Sequence, residues 1–95
     1  MLILQLKANL EENKEQEFLQ AVRSIIEHPA IRKYKNTLVT STENTRLYKV
    51  EFMFDNMAEV ELFRATAEFH ELAGAFQVLG EENSVTTFRS IEIEN

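Results

Sequence analysis

Two stretches of the chain alternate apolar and polar residues at the two-residue period of a strand. In RLYKVEFMF, Tyr48, Val50, Phe52 and Phe54 point one way while Leu47, Lys49, Glu51 and Met53 point the other. In MLILQLKA, Leu2, Leu4 and Leu6 share one face, and Ile3, Gln5 and Lys7 share the opposite one. The first set in each stretch reads as core. The second sets mix apolar side chains with lysine, glutamine and glutamate, which suits neither a clean core nor a clean solvent face, so something is expected to cover them.

Between and after these strands the period becomes helical. NLEENKEQEFLQAVRSIIEHP places Phe18, Val22, Ile25 and Ile26 at helical spacing, with Glu11 and Glu12 where the start of a helix favours acids. Pro29, the only proline, sets the end of that helix by pushing His28 out of helical geometry. After AIRKYKN, the run TLVTSTENTRLYKVEFMF reads as a hairpin, with turn chemistry from Thr42 to Thr45. DNMAEVELFRATAEFHELAGAFQVLGEEN opens with Asp55 or Asn56 as an N-cap and Glu59 in a capping-box position. Its stripe of Val60, Leu62, Phe63, Ala67, Phe69, Leu72 and Phe76 predicts one second helix, interrupted at Gly74 and capped by Gly80. SVTTFRSIEIEN closes the chain as a strand, with Ile91 and Ile93 on the side of Arg89 and Phe88 on the other; a bulge of unknown position bears on this facing.

Strand, helix, strand, strand, helix, strand is the order of an α+β, ferredoxin-like βαββαβ fold, a four-stranded antiparallel sheet with two helices on one face. The other face is left bare. Ile3, Gln5, Lys7, Leu47, Lys49, Glu51 and Met53 lie on it, and a broad patch containing Ile3, Leu47 and Met53 calls for a partner. The expected partner is a second copy, joined through the open sheet face.

Composition narrows the function. A length of 95 residues predicts one domain, residues 1–95. With 16 acids against 10 bases the net charge of -6 repels nucleic acid and anionic bilayers alike, so neither is an expected partner. The absence of cysteine removes disulfides, thiolate chemistry and cysteine-based zinc sites. The apolar run at the amino terminus is too short to span a membrane and lacks a basic region before it and a cleavage signal after it, which predicts a cytoplasmic protein. Several modules of this fold are also excluded. Metal-transfer modules need Cys-x-x-Cys; RNA-recognition modules need aromatics on the central strands, where this chain has Gln5, Lys49 and Glu51. Acylphosphatase-like enzymes need a glycine-rich phosphate loop, and amino-acid-sensing modules need glycine in the same turn. Here that turn is ANLEENK, and Gly74 and Gly80 are the only glycines.

One family resemblance covers nearly the whole chain. LQLKANLEENKEQEFLQAVRSII resembles the start of the antibiotic-biosynthesis-monooxygenase-like family, where a strand ends in a short Lys-rich turn and the next helix carries an early phenylalanine. LYKVEFMFDNMAEVELFRATAEFHELAGAF resembles the second half of the same domain, with Val50 and Glu51 on the third strand. The resemblance implies a homodimer whose sheets pack face to face as a dimeric α/β barrel, with Lys49 and Glu51 lining an internal cavity. It implies a cofactor-independent monooxygenase acting on a small aromatic or apolar molecule; the alternative is a non-catalytic ligand-binding or assembly module on the same fold. Haem-degrading oxygenases belong to the family too. Catalytic members often carry a tryptophan after the strand glutamate and a histidine on the second helix. Here Met53 or Phe54 holds the strand position, the chain has no tryptophan, and Phe63 stands nearest the expected histidine with His70 further along. These departures favour the non-catalytic alternative.

On this reading the catalytic candidates are His70 and Glu51. The ligand-binding candidates are Gln5, Lys49, Glu51, Met53 and Phe63, with no cofactor and no metal expected. His70 could act near neutral pH as a base or a haem ligand, against the plainer reading of an exposed helix residue. His28 reads as a helix-terminal residue. Lys49 and Glu51, two apart on one strand face, are either a buried charge pair or solvated groups at an interface rim. Tyr48 reads as a core ring. Glu11, Glu12, Glu15 and Glu17 read as a solvated acidic face, since no metal-loop spacing accompanies them.

Overall fold

The computed structural model describes residues 1–43 and 45–91. Strand β1 (Leu2–Leu10) leads into α1 (Glu15–Ile26), the short α2 (Pro29–Arg32), and a hairpin of β2 (Asn36–Thr40) and β3 (Leu47–Phe54). Helices α3 (Met57–Arg64) and α4 (Ala67–Leu79) follow, then β4 (Gly80–Arg89). The strands form one antiparallel sheet in the order β2-β3-β1-β4, with β1 and β3 at its centre, as the ferredoxin-like pattern requires. Among the described residues no helix is long and apolar enough to cross a membrane.

The alternation read from the sequence becomes burial. Leu4, Leu6, Ala8, Val50 and Phe52 are fully buried against Phe18 and Val22 of α1, Val60 and Phe63 of α3, and Leu72 and Phe76 of α4. Phe63 is the hub: its ring lies 4.7 Å from Phe52, 5.2 Å from Phe54 and Tyr34, and 5.5 Å from Phe69. Each such buried ring contributes roughly 1.5–3 kcal/mol by leaving water, which seats the helical layer on this face of the sheet.

Local chemistry departs from the periodicity in four places. The expected second helix is two helices, broken at Ala65 and Thr66 rather than at Gly74. Thr66 is the cause: its hydroxyl accepts from the Phe69 backbone N–H at 3.2 Å and donates to the Phe63 carbonyl at 2.7 Å, starting a new helix. The break also turns Leu62 out of the supposed apolar stripe, leaving it 70% exposed. At the other end of this segment Asn56 caps α3 as expected, accepting from Glu59 N–H at 3.0 Å while the Glu59 carboxylate accepts from Asp55 N–H at 3.1 Å.

The first helix likewise begins later than its acids suggested. β1 runs to Leu10, so Glu11 and Glu12 precede the helix and its first-turn acids are Glu15 and Glu17. Pro29 does end α1, but it also opens α2, where a fixed φ suits the first helical position. His28 is the cap of that turn, its Nδ1 accepting from Ala30 N–H at 3.2 Å.

β4 starts directly at Gly80 and carries the bulge near its beginning. Lys7 pairs with Ser84 and Asn9 with Glu81, so Glu82 and Asn83 together stand opposite Ala8, and Glu82 takes a φ of 50°. Beyond it Ser84, Thr86 and Phe88 oppose Lys7, Gln5 and Ile3, and therefore share the uncovered face with them. Phe88 thus points away from Arg89, as expected. Ile91 lies exposed past the strand, while the expected facing of Ile93 and the turn position of Asn44 lie outside the described residues.

The two glycines make opposite demands. A Cβ on Gly80 would stand 2.5 Å from the Ala8 Cβ and 2.7 Å from the Phe76 carbonyl oxygen, so close approach, rather than a left-handed cap, requires glycine there. Nothing lies within 4 Å of a Cβ on Gly74. Gly80→Ala should therefore cost about 1–3 kcal/mol through forced displacement of β4. Gly74→Ala should stabilise by about 0.5–1 kcal/mol through helix propensity. Urea unfolding midpoints measure both, and a neutral Gly80→Ala would contradict the seating of β4 against β1 at Ala8.

Candidate functional site

The sheet face away from the helices is laid out in rows set by strand register. Phe88, Ile3 and Met53 form an apolar row at one end. Thr86, Gln5, Glu51 and Thr37 form the next, and Ser84, Lys7, Lys49 and Val39 the third. Asn9 and Leu47 follow. In the second row the Gln5 side-chain amide donates to the Glu51 carboxylate at 2.8 Å, a half-buried contact between neighbouring central strands. The Gln5 amide holds this carboxylate in place, and the remaining lone pairs of Glu51 can accept a further hydrogen bond from whatever lies over the sheet.

The sequence candidates divide between the two sides of the sheet. Gln5, Lys49, Glu51 and Met53 share the open face. Phe63 does not join them, because it is fully buried in the core beneath α3. Glu51 and His70 are separated as well: His70 is exposed on α4 in the helical layer, its ring 6.0 Å from that of Phe69, and the sheet lies between the two candidates. Lys49 and Glu51 form no ion pair; among the described residues the pairs are Lys14 with Glu17, His28 with Glu68, and Arg46 with Glu81. Glu51 turns to Gln5 across the strand instead.

Sequence reasoning missed Phe88, Thr86, Thr37 and Val39 on this face. The alternation of β2 and β4 is visible in the sequence, but which set of each strand faces the helices follows from register, which for β4 depends on the bulge. Phe88 is the consequential omission, since it extends the apolar row and is 46% exposed.

Beside that row, a cleft of about 510 Å³ opens against Met53 and Phe54, with Met1, Lys33, Tyr34 and Lys35 among its walls. A groove of about 520 Å³ on the outer flank of α1 is lined by Gln16, Leu19, Gln20, Arg23, Ser24 and Glu27. All of these come from one helix and its cap, so no set of groups converges there from different elements. Among the described residues no three histidine or acidic side chains come together to hold a metal ion.

No family model matches the sequence, and no match was found among the curated proteins. The fold, in contrast, is shared with solved structures. A candidate antibiotic biosynthesis monooxygenase from Deinococcus radiodurans superimposes with a TM-score of 0.80 at 14% identity, covering 100% of this chain and 97% of its own. A protein described in the same terms from Nitrosomonas europaea gives 0.76 at 14% identity over 97% of this chain and 100% of its own. An uncharacterised NIPSNAP domain protein from Burkholderia xenovorans gives 0.70 at 12% identity over 100% and 99%. The family resemblance read from the sequence therefore holds for the fold, which proteins of more than one description share.

Tyr48 lies on the opposite, helix-facing side, 7% exposed, with its ring edge-on to Phe18 at 5.5 Å. Burial pushes its phenol above the ordinary value, and the neighbouring Glu15 carboxylate, which disfavours the phenolate, adds to the rise. A raised value means that the folded state holds the proton more tightly. The resulting stabilisation is complete below the unfolded value of about 10 and is lost as pH rises through the folded one. Tyr48→Phe should accordingly lose less stability than the parent between pH about 9 and about 11, measured by urea unfolding at each pH. Equal losses in both proteins would contradict this placement of the hydroxyl.

Proposed function

We propose that two copies of this chain close their open sheet faces on each other as a dimeric α/β barrel, and that the enclosed space binds a small aromatic or apolar molecule beside Glu51. The observation that carries this reading is the hydrogen bond from Gln5 to Glu51, a positioned carboxylate in the middle of an uncovered face whose next row is Phe88, Ile3 and Met53. An exposed charge needs no such positioning. One face of a four-stranded sheet can supply the roughly 800 Å² per partner that a specific interface buries.

Within that space Glu51 is the proton acceptor and Gln5 its positioning residue. Proton removal from an activated C–H or phenolic O–H of an aromatic ligand leaves an electron-rich anion, which is the reductant for dioxygen in a cofactor-independent oxygenation. The shared fold with candidate antibiotic biosynthesis monooxygenases supports that reaction class. A second reading, a non-catalytic ligand-binding or assembly module, is favoured by one observation: the sheet separates His70 from Glu51, so no histidine of the same chain assists the carboxylate.

Two experiments test these statements. Light scattering during size-exclusion chromatography should give twice the single-chain mass of 11.1 kDa for the parent. Met53→Glu, which buries an unpaired charge at a cost of several kcal/mol, should give monomer or aggregate. A parent mass of one chain at tens of micromolar would overturn the barrel. For the chemistry, oxygen uptake with a panel of polycyclic phenols should fall about 100-fold or more in Glu51→Gln, which keeps an acceptor for Gln5 and removes the base. Binding of those phenols without oxygen uptake would leave the second reading standing.

A further inference from the structure

His28 stands at the corner between α1 and α2, and its Nδ1 meets two groups there. The Ala30 backbone N–H donates to it at 3.2 Å, and Oε1 of Glu68 on α4 lies 3.8 Å away. The first contact is a hydrogen bond; the second is too long to be one. The α2 turn depends on the first. Pro29 has no N–H, and the N–H groups of Ile31 and Arg32 both donate to the His28 carbonyl at 2.9 Å, so Ala30 carries the one amide of this turn that a side chain satisfies. A ring nitrogen that accepts a hydrogen bond carries no proton, so the cap requires neutral His28 with its hydrogen on Nε2. The Glu68 contact requires the reverse, since it becomes a charge-assisted bond only when Nδ1 is protonated. The two contacts exclude each other.

We infer that His28 is a proton-operated latch between α2 and α4. Unprotonated, it caps α2; protonated, it releases the Ala30 N–H and turns to the Glu68 carboxylate, so that a local cap is exchanged for a tie between two helices. The imidazole is open to protons from solvent, its side chain 52% exposed, and the waiting carboxylate is better sheltered at 24%. Among the described residues no other charged group takes either partner. Glu27 at the end of α1 and Glu71 one turn along α4 form no ion pair with His28, and Arg23 of α1 and Arg32 of α2 form none with Glu68. The turn that His28 caps carries the fully buried Ile31 and leads to Tyr34, whose N–H donates to the Ile31 carbonyl at 3.0 Å and whose ring packs 5.0 Å from that of Phe54. Tyr34 walls the cleft beside Met53, so the latch sits at the base of that wall. It lies in the helical layer and does not depend on the barrel reading.

The test is NMR of the 15N-labelled full chain at pH about 8 and about 5, on either side of the ordinary histidine range. At the higher pH, imidazole correlations should place the His28 hydrogen on Nε2, with His70, which caps nothing, as the internal comparison. At the lower pH the Ala30 amide, corrected for intrinsic exchange, should lose about fivefold of its protection, the size of a lost helix cap. His28→Asn keeps a capping acceptor that does not titrate, and there the Ala30 protection should be the same at both values. Urea midpoints of the parent, His28→Asn, Glu68→Gln and the double variant should be additive at pH about 8 and non-additive at pH about 5, where the ion pair exists. A hydrogen on Nδ1 at the higher pH, Ala30 protection that does not change in the parent or falls equally in His28→Asn, or additive midpoints at the lower pH would each overturn the latch. The imidazole spectrum and Ala30 exchange of the parent decide the matter even if a variant fails to fold.

Discussion

In the pairing of β1 with β3, Leu4 meets Phe52 and Leu6 meets Val50 on the helix side, while Gln5 meets Glu51 and Lys7 meets Lys49 on the other. A slip of one residue would exchange the two sets, putting glutamine, glutamate and lysine under the helices and the core residues into water. The aromatic packing of Phe63 on Phe52 and Phe54 exists only in the observed register, and so does the hydrogen bond from Gln5 to Glu51. One register thus builds both the hydrophobic core and the polar site. Core packing supplies the energy that fixes the register, and the site on the far side inherits its geometry at no separate cost in ordering.

Much of this was legible in the chain because central strands buried on one side leave a strict alternation, and Leu47 to Phe54 carries it without a break in burial. What escaped reading depends on short-range hydrogen bonds that override periodicity. Thr66 begins a new helix inside an apolar stripe that continues across it. His28 caps a turn that the period of α1 does not announce. The bulge at Glu82 and Asn83 places a glutamate in a left-handed conformation where no glycine marks the position. Candidate site residues followed the same division. Gln5, Lys49, Glu51 and Met53 were found together because alternation alone groups them, whereas Phe63 and His70 were assigned by likeness to a family pattern and fall on the other side of the sheet.

The helices cover one face of the sheet, and the other face combines three kinds of side chain that are poorly suited to remain as they are. Phe88, Ile3 and Met53 prefer to leave water, Glu51 is fixed in place, and Lys7 and Lys49 oppose each other. In the proposed dimer, apolar burial of the Phe88, Ile3 and Met53 row is what favours association.

Isotope-filtered NOE spectroscopy examines that contact directly. Chains carrying 13C-methyl methionine are refolded together with unlabelled chains, so that only contacts between copies are seen. The three methionines serve as each other's controls, since Met53 lies on the open face while Met57 is exposed on α3 and Met1 precedes β1. Cross-peaks from the Met53 methyl to aromatic and aliphatic protons of the unlabelled copy are expected, with none from Met57. A spectrum without intermolecular peaks at Met53, or with such peaks only at Met57, would contradict the pairing of two sheets through this face.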